Sequence, residues 1–428
     1  MKILLASSEA APYIKTGGLG DVAAALPKAL AESPNTEVAV FLPYYKAIKD
    51  NPEFELEYIT NFNVPLSWRS VYAGLFRAVS KRKKLQYYFI DNEYYFYRDG
   101  CYGHYDDGEL NGLLWENGAL QPMLKTKPAL TDEQHLQSIE LIGQKLNAFG
   151  ITSVIDANLN YKQMHMYNEA HRQKRLSYRA NLMFYLDPQF GSFEDNLRRL
   201  DEMDCVTGFG DEMLKLNGCK VTLDGITAAF TAAMSRREYR QRPGFYGDTI
   251  YSQEEIDALV CKATELGWQF GIHTIGDASE DRALHAFQEA NKIRPVKELR
   301  HYLIHYQLPY EDQWPIMREL GVGVCLQPTI VAQMGEEPLF WPEQAERFQS
   351  PGLMFREGIL AGGSSDSPVV TPNPMLGMYY AITRLDETTG KILSKGDESK
   401  VTPIQALIMY TKNAAFFSHD DDKMGSVE

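Results

Sequence analysis

From residue 131 onward the chain repeats one pattern: a short, nearly unbroken apolar run, a polar turn, then an amphipathic stretch. Seven such runs can be placed: Thr152–Asp156, Ser177–Tyr185, Cys219–Leu223, Gln269–Thr274, Tyr302–Tyr306, Gly323–Gln327 and Ile359–Ser364. Near-continuous apolar runs are what strands buried on both faces require, and strands alternating with helices at this spacing build a parallel sheet. Helix starts are marked separately. Thr131-x-x-Gln134 and Ser252-x-x-Glu255 are capping boxes, and Thr402-Pro403 is an N-cap followed by proline at the first helical position. The pattern predicts an α/β fold: a (β/α)8 barrel of TIM type, incomplete by one strand. The open place should lie between the first and seventh runs, leaving both as edges.

In such barrels the chemistry sits at the C-terminal ends of the strands. Read in order, those ends carry Lys220 (Lys-Val-Thr-Leu-Asp-Gly), His273 (Gly-Ile-His-Thr-Ile-Gly-Asp), His305 (Leu-Ile-His-Tyr-Gln) and Asp366 (Gly-Gly-Ser-Ser-Asp-Ser-Pro). Two imidazoles, a carboxylate and a lysine are the parts needed to hold one or two divalent metals with a hydrolytic water. Singly, each has a plainer reading: a satisfied core histidine, a turn aspartate, a surface lysine. Four in successive strands are hard to explain as coincidence.

The words around these residues resemble the YtcJ-like branch of the amidohydrolase superfamily, metal-dependent hydrolases of amide-type C–N bonds in small molecules. Gly150-Ile-Thr-Ser-Val154, Lys220 to Gly225, His273 to Asp277, His305-Tyr-Gln307, Glu319 to Pro328, Gly363 to Pro368, Asn373 to Gly377, Tyr410-Thr-Lys-Asn-Ala-Ala415 and Gly425 to Glu428 carry the likeness in order. The resemblance implies Lys220 as a carboxylated bridging ligand, His273 and His305 as metal ligands, and Asp366 as ligand and general base. It also implies a strand ending in His-x-His. The nine histidines, at 104, 135, 165, 171, 273, 285, 301, 305 and 419, contain no such pair. His301 and His305 could share a face, yet would stand about 13 Å apart along a strand. The expectation is therefore a weak or mononuclear site, zinc being the probable metal by resemblance, with impaired hydrolysis. The family's small β-sandwich, built from both termini, is also expected to be missing.

Residues 1–109 read differently. Ile3–Ala6 predicts a strand, Gly17–Gly20 a turn, Asp21–Ala31 a helix and Glu37–Leu42 a second strand. Further strands are expected over 54–66, 70–79 and 85–97, with Lys81-Arg82-Lys83-Lys84 as a solvated hairpin turn. Lys15-Thr-Gly-Gly-Leu-Gly-Asp21 between strand and helix suits either an anion site or a plain tight turn. This segment resembles the start of bacterial glycogen (starch) synthase, through Met1 to Tyr13, Lys15 to Val22, Leu26 to Leu30, Leu42 to Tyr45 and Asn92 to Gly103. The resemblance implies a truncated Rossmann-like fragment in which Lys15, Gly18 and Asp21 contact ADP-glucose. It stops about halfway through a first Rossmann domain, so binding and glucosyl transfer are not expected. The domains are thus 1–109 and 110–428. A join inside both families' domains points to an artificial or assembly-derived fusion, since natural fusions join whole domains at linkers.

Composition narrows the partners. A net charge of −14 disfavours nucleic acid, and no run of about 18 apolar residues exists to span a membrane. Five scattered cysteines without a Cys-x-x-Cys pair fit a reducing cytoplasm. A small-molecule substrate remains; the oligomeric state stays open. Three functions compete: an impaired hydrolase, a glucosyltransferase read from the first segment, and a hybrid with no activity.

Overall fold

Strand pairing sorts the apolar runs into two main sheets. The computed structural model describes residues 1–15, 18–66, 69–79, 84–92, 129–186, 191–334, 339–393 and 397–427. The chain divides into two compact units, Met1–Trp115 and Glu116–Glu428. The join between the two resemblances lies outside the described residues.

The first unit holds β1 (Lys2–Ala6), β2 (Glu37–Pro43), β3 (Leu56–Leu66), β4 (Arg69–Ala78) and β5 (Leu85–Asp91), in the order β1-β2-β5-β4-β3. β1, β2 and β5 are parallel, and β3 and β4 join as an antiparallel meander. Alternate residues of β2 and β5 are buried. Val38, Val40, Leu42, Leu85, Tyr87 and Phe89 form a core with Ala23 from the helix Gly18–Ala31. β1 is an edge, and its Leu4 is 67% exposed. In the basic run, Lys84 donates from Nζ to the carbonyls of Ser33 (3.3 Å) and Pro34 (2.9 Å), tethering the turn before β2. Lys81, Arg82 and Lys83 lie outside the described residues.

The second unit is an incomplete (β/α)8 barrel. Its strands are β6 (Ser153–Leu159), β7 (Arg179–Tyr185), β8 (Leu214–Thr222), β9 (Phe270–Thr274), β10 (Tyr302–His305), β11 (Gly323–Leu326) and β12 (Ala361–Gly363). They form one parallel sheet in chain order, with β6 and β12 at its two ends. Five of these strands match the predicted runs to within two residues at each end. β8 begins five residues earlier than the apolar run implied, and β6 runs on to Leu159. The extra β8 residues include Lys215, Asn217 and Gly218, which break the pattern but find partners. Lys215 pairs with Asp420 at 2.5 Å, and Asn217 donates to Gln269 Oε1 (2.6 Å) and the Phe417 carbonyl (3.0 Å). At Gly218 a Cβ would meet the Gln269 carbonyl at 2.5 Å, so only glycine fits.

Capping boxes open the helices Asp132–Ala148 and Gln253–Leu266 at Thr131 and Ser252, and Thr402 caps Pro403–Tyr410. Between sheet and helices, Trp268, Phe270, Phe287, Val324 and Ala361 are wholly buried. No helix among the described residues is long and apolar enough to cross a membrane. The four described cysteines carry free thiols.

Candidate active site

In a parallel sheet, paired residues share a face, so register decides which side chains meet. Thr222 pairs with His273, His273 with Ile304, and Thr274 with His305. By strict alternation His273 and His305 would therefore face opposite sides of the sheet, but the backbone at His305 is left-handed (φ 76°), and the two imidazoles stand side by side, their ring centres 4.5 Å apart and their planes at 75°. Both are buried, and burial is the largest cause holding each below the ordinary histidine range. Each is therefore neutral at pH 7, with one ring nitrogen carrying hydrogen and one carrying a lone pair.

Hydrogen-bond partners distinguish the two nitrogens. His273 Nε2 lies 3.2 Å from the Gly225 carbonyl, an acceptor, which places its hydrogen on Nε2 and the lone pair on Nδ1. His305 Nδ1 lies 2.8 Å from Gln327 Oε1, which places its hydrogen on Nδ1 and the lone pair on Nε2. The backbone at this end of β10 is unusual. His305 (φ 76°) and Tyr306 (φ 46°) are both left-handed, a conformation costing roughly 1–3 kcal/mol for a non-glycine residue. Neighbours hold it: the Tyr306 N–H donates to the Thr274 carbonyl (3.0 Å), and its hydroxyl to Gln313 Oε1 (2.8 Å).

The other two predicted residues act on this pair through their charges. Lys220, on β8, is buried with its Nζ 5.4 Å from the centre of the Tyr185 ring. Its positive charge adds to the burial effect that keeps both imidazoles neutral. Asp366 is left-handed (φ 54°) and exposed on the turn after β12, where its charge acts on His305 in the opposite sense. Among the described residues, no three His, Cys, Asp or Glu side chains gather as an ion-holding group. Around the imidazole pair, then, the buried Lys220 acts through its charge on both rings and the exposed Asp366 through its charge on His305.

Three residues that the strand-end reading passed over shape the site. Asp224, fully buried just past β8, accepts N–H bonds from Ala233 (2.9 Å), Ile275 (3.0 Å) and Gly276 (2.8 Å), drawing the loops after β8 and β9 together. That approach is close: a Cβ on Gly276 would fall 1.9 Å from the Ala233 carbonyl oxygen. Burial pushes the Asp224 carboxyl up to about 7 in spite of these donors. Asp156 on β6 accepts from the Tyr167 hydroxyl (2.8 Å), and burial raises its carboxyl as well. Gln327, at the end of β11, is the third. Asp224 and Gln327 are polar residues at strand ends, the signal that singled out His273.

In the first unit, Lys15 Nζ and Asp21 form an ion pair at 2.8 Å beside Gly18, where the helix begins.

The amidohydrolase family profile matches residues 99–428, and the starch synthase catalytic domain profile matches residues 2–137. Among curated relatives, a glycogen synthase of Exiguobacterium sibiricum is 51% identical over 110 residues, which is 26% of this chain and 22% of that protein. One of Clostridium acetobutylicum is 50% identical over 121 residues, covering 28% of this chain and 24% of the relative. The chain thus spans less than a quarter of the length of these curated relatives. Among solved structures, an uncharacterised metal-dependent hydrolase of Pyrococcus furiosus is 25% identical with a TM-score of 0.60, over 73% of this chain and 62% of its own. One of Pyrococcus horikoshii OT3 is 19% identical with a TM-score of 0.65, over 99% of this chain and 79% of its own, and shows the fold alone.

Proposed function

We propose, from the premise that the chain belongs to the amidohydrolase family, that its second unit is the scaffold of a metal-dependent hydrolase of C–N bonds in small molecules, with its ion site reduced to His273 and His305 and its turnover close to background. The observation that carries this reading is the pair itself: two buried, neutral imidazoles 4.5 Å apart that no third described His, Cys, Asp or Glu side chain joins into an ion-holding group, although Asp224 Oδ1 lies 3.7 Å from His273 Nε2. A catalytic zinc centre is ordinarily held by three protein ligands with one position left for water. Two imidazoles do not fit that requirement. Losing even the outer partners of a ligand costs roughly 10- to 100-fold in affinity, so losing direct ligands costs more.

The test is a zinc titration of the purified chain with metal analysis, run beside His273→Ala and a panel of N-acyl amino acids as substrates. At most one weakly held equivalent and no turnover are expected, with no zinc retained by the variant. Two tightly held equivalents with turnover would overturn the impairment, and equal zinc in the variant would overturn the ligand assignment. In the first unit Lys15 is already engaged with Asp21, and glucosyl transfer is not expected of it.

A further inference from the structure

We infer that Gln327 is a positioning residue that selects the tautomer of His305, holding the hydrogen on Nδ1 so that Nε2 presents its lone pair to the site. The inference rests on which way the Gln327 amide faces. Its Nε2 lies 2.8 Å from the Cys325 carbonyl, which can only accept, and 2.8 Å from Ser364 Oγ. The amide nitrogen must therefore occupy that side, leaving Oε1 toward His305 Nδ1 at 2.8 Å. An amide oxygen has no hydrogen to give, so the hydrogen in that bond belongs to Nδ1.

Gln327 is itself held from behind. It is 1% exposed, and its backbone N–H donates to Gln349 Oε1 at 2.6 Å. The Gln349 N–H returns to the carbonyl of Gln307 at 2.9 Å, two residues past His305. Gln349 is fixed in turn by Arg384, a buried guanidinium donating to the carbonyls of Gln349 (2.9 Å) and Phe348 (2.5 Å). A chain of buried hydrogen bonds thus runs from Arg384 through Gln349 and Gln327 to His305, in which Gln327 has both ends of its amide bonded while Gln349 Nε2 and Arg384 Nε find no partner among the described residues. Its consequence for ion binding rests on the proposed use of the imidazole pair; the tautomer itself does not.

The experiment is nitrogen NMR of the full, metal-free chain labelled at histidine, at pH 8. The His305 signals are identified by their loss in His305→Ala. Wild type should show a protonated Nδ1 and a bare Nε2. Gln327→Leu should move His305 toward the other tautomer, whereas Gln327→Glu, which still offers an acceptor, should keep it. A bare Nδ1 in wild type would overturn the inference even if Gln327→Leu does not fold, and so would an unchanged tautomer in a folded Gln327→Leu. Zinc titration of the same samples separates the two readings. A roughly 10- to 100-fold weaker affinity in Gln327→Leu is expected of an outer partner. Absence of zinc binding in wild type with Nδ1 protonated would remove the ion reading and leave the role of Gln327 standing.

Discussion

The five-stranded sheet of the first unit and the seven-stranded sheet of the second both bury continuous apolar cores, yet the polar residues singled out as candidate sites lie in opposite settings. Around the imidazole pair, Asp224, Gln327 and Gln349 are buried and held by named partners. In the first unit, the ion pair Lys15–Asp21 faces solvent, with side-chain exposures of 33% and 51%. A barrel carries its site on several strands of one sheet, so part of the site survives the loss of one strand. A site shared between domains keeps only the half that remains.

The comparison breaks if the two units do not unfold independently, and a core deletion probes this with the largest effect. Trp268 is fully buried ahead of β9, in a cluster with Phe270 and Phe287. Trp268→Ala should cost about 3–5 kcal/mol, as large-to-small changes at buried aromatic positions do. Hydrogen exchange by mass spectrometry should show lost protection in peptides covering 253–291 and none in those covering β2 and β5. Equal loss in both would mean one cooperative unit.

A second prediction sharpens the contrast through pH. Glu280 in the helix Asp277–Asn291 is fully buried; it accepts the Leu308 N–H at 2.9 Å through Oε1, while Oε2 finds no hydrogen-bond partner among the described residues. Burial, with Asp277 and Asp281 nearby, raises its carboxyl well above the usual glutamate range. In the folded chain it stays protonated where the unfolded chain would release the proton. The stability this contributes is complete below about pH 4.5 and is lost as pH rises through the folded value, by at most about 1.4 kcal/mol per pH unit. Glu280→Gln keeps the acceptor and cannot ionise. It should match wild type near pH 4 and unfold at higher urea at pH 8; parallel profiles for the two proteins would sink the idea.

Much of this was legible in the sequence, for reasons that can be named. β9, β10 and β11 are short, wholly apolar up to their last residues, and bounded by caps or glycine, so their limits follow from composition. His273 and His305 were legible because a polar residue at the end of such a strand stands out. β8 was read short because Lys215 and Asn217 look like loop residues until Asp420, Gln269 and Phe417, distant in sequence, supply their partners. The left-handed turn at Asp366 was equally hidden, since a positive φ at a non-glycine residue leaves no mark in the local sequence. Asp224 and Gln327 carried the same strand-end signal as the histidines, but their importance arises from bonds to Ala233, Gly276, His305 and Ser364 that no local pattern announces.

The smallest effect is expected at Lys15. Its ion pair with Asp21 is short, at 2.8 Å, but both side chains are well exposed, and exposed pairs contribute about 0–1 kcal/mol. Lys15→Ala should therefore leave the unfolding midpoint almost unchanged. The sharper question is whether the glycine turn still recruits an anion. A helix N-terminus attracts phosphate, but Asp21 places a carboxylate in the first turn of this helix. That carboxylate already occupies the lysine and repels a second anion. A sugar nucleotide would also need contacts beyond the residues that the resemblance to glycogen synthase covers. Isothermal titration of wild type with ADP-glucose should consequently show no saturable heat, and Lys15→Ala should look the same. Saturable micromolar binding that disappears in Lys15→Ala would show that the first unit retains a working half-site, and the contrast between the two units would then fail at its exposed end.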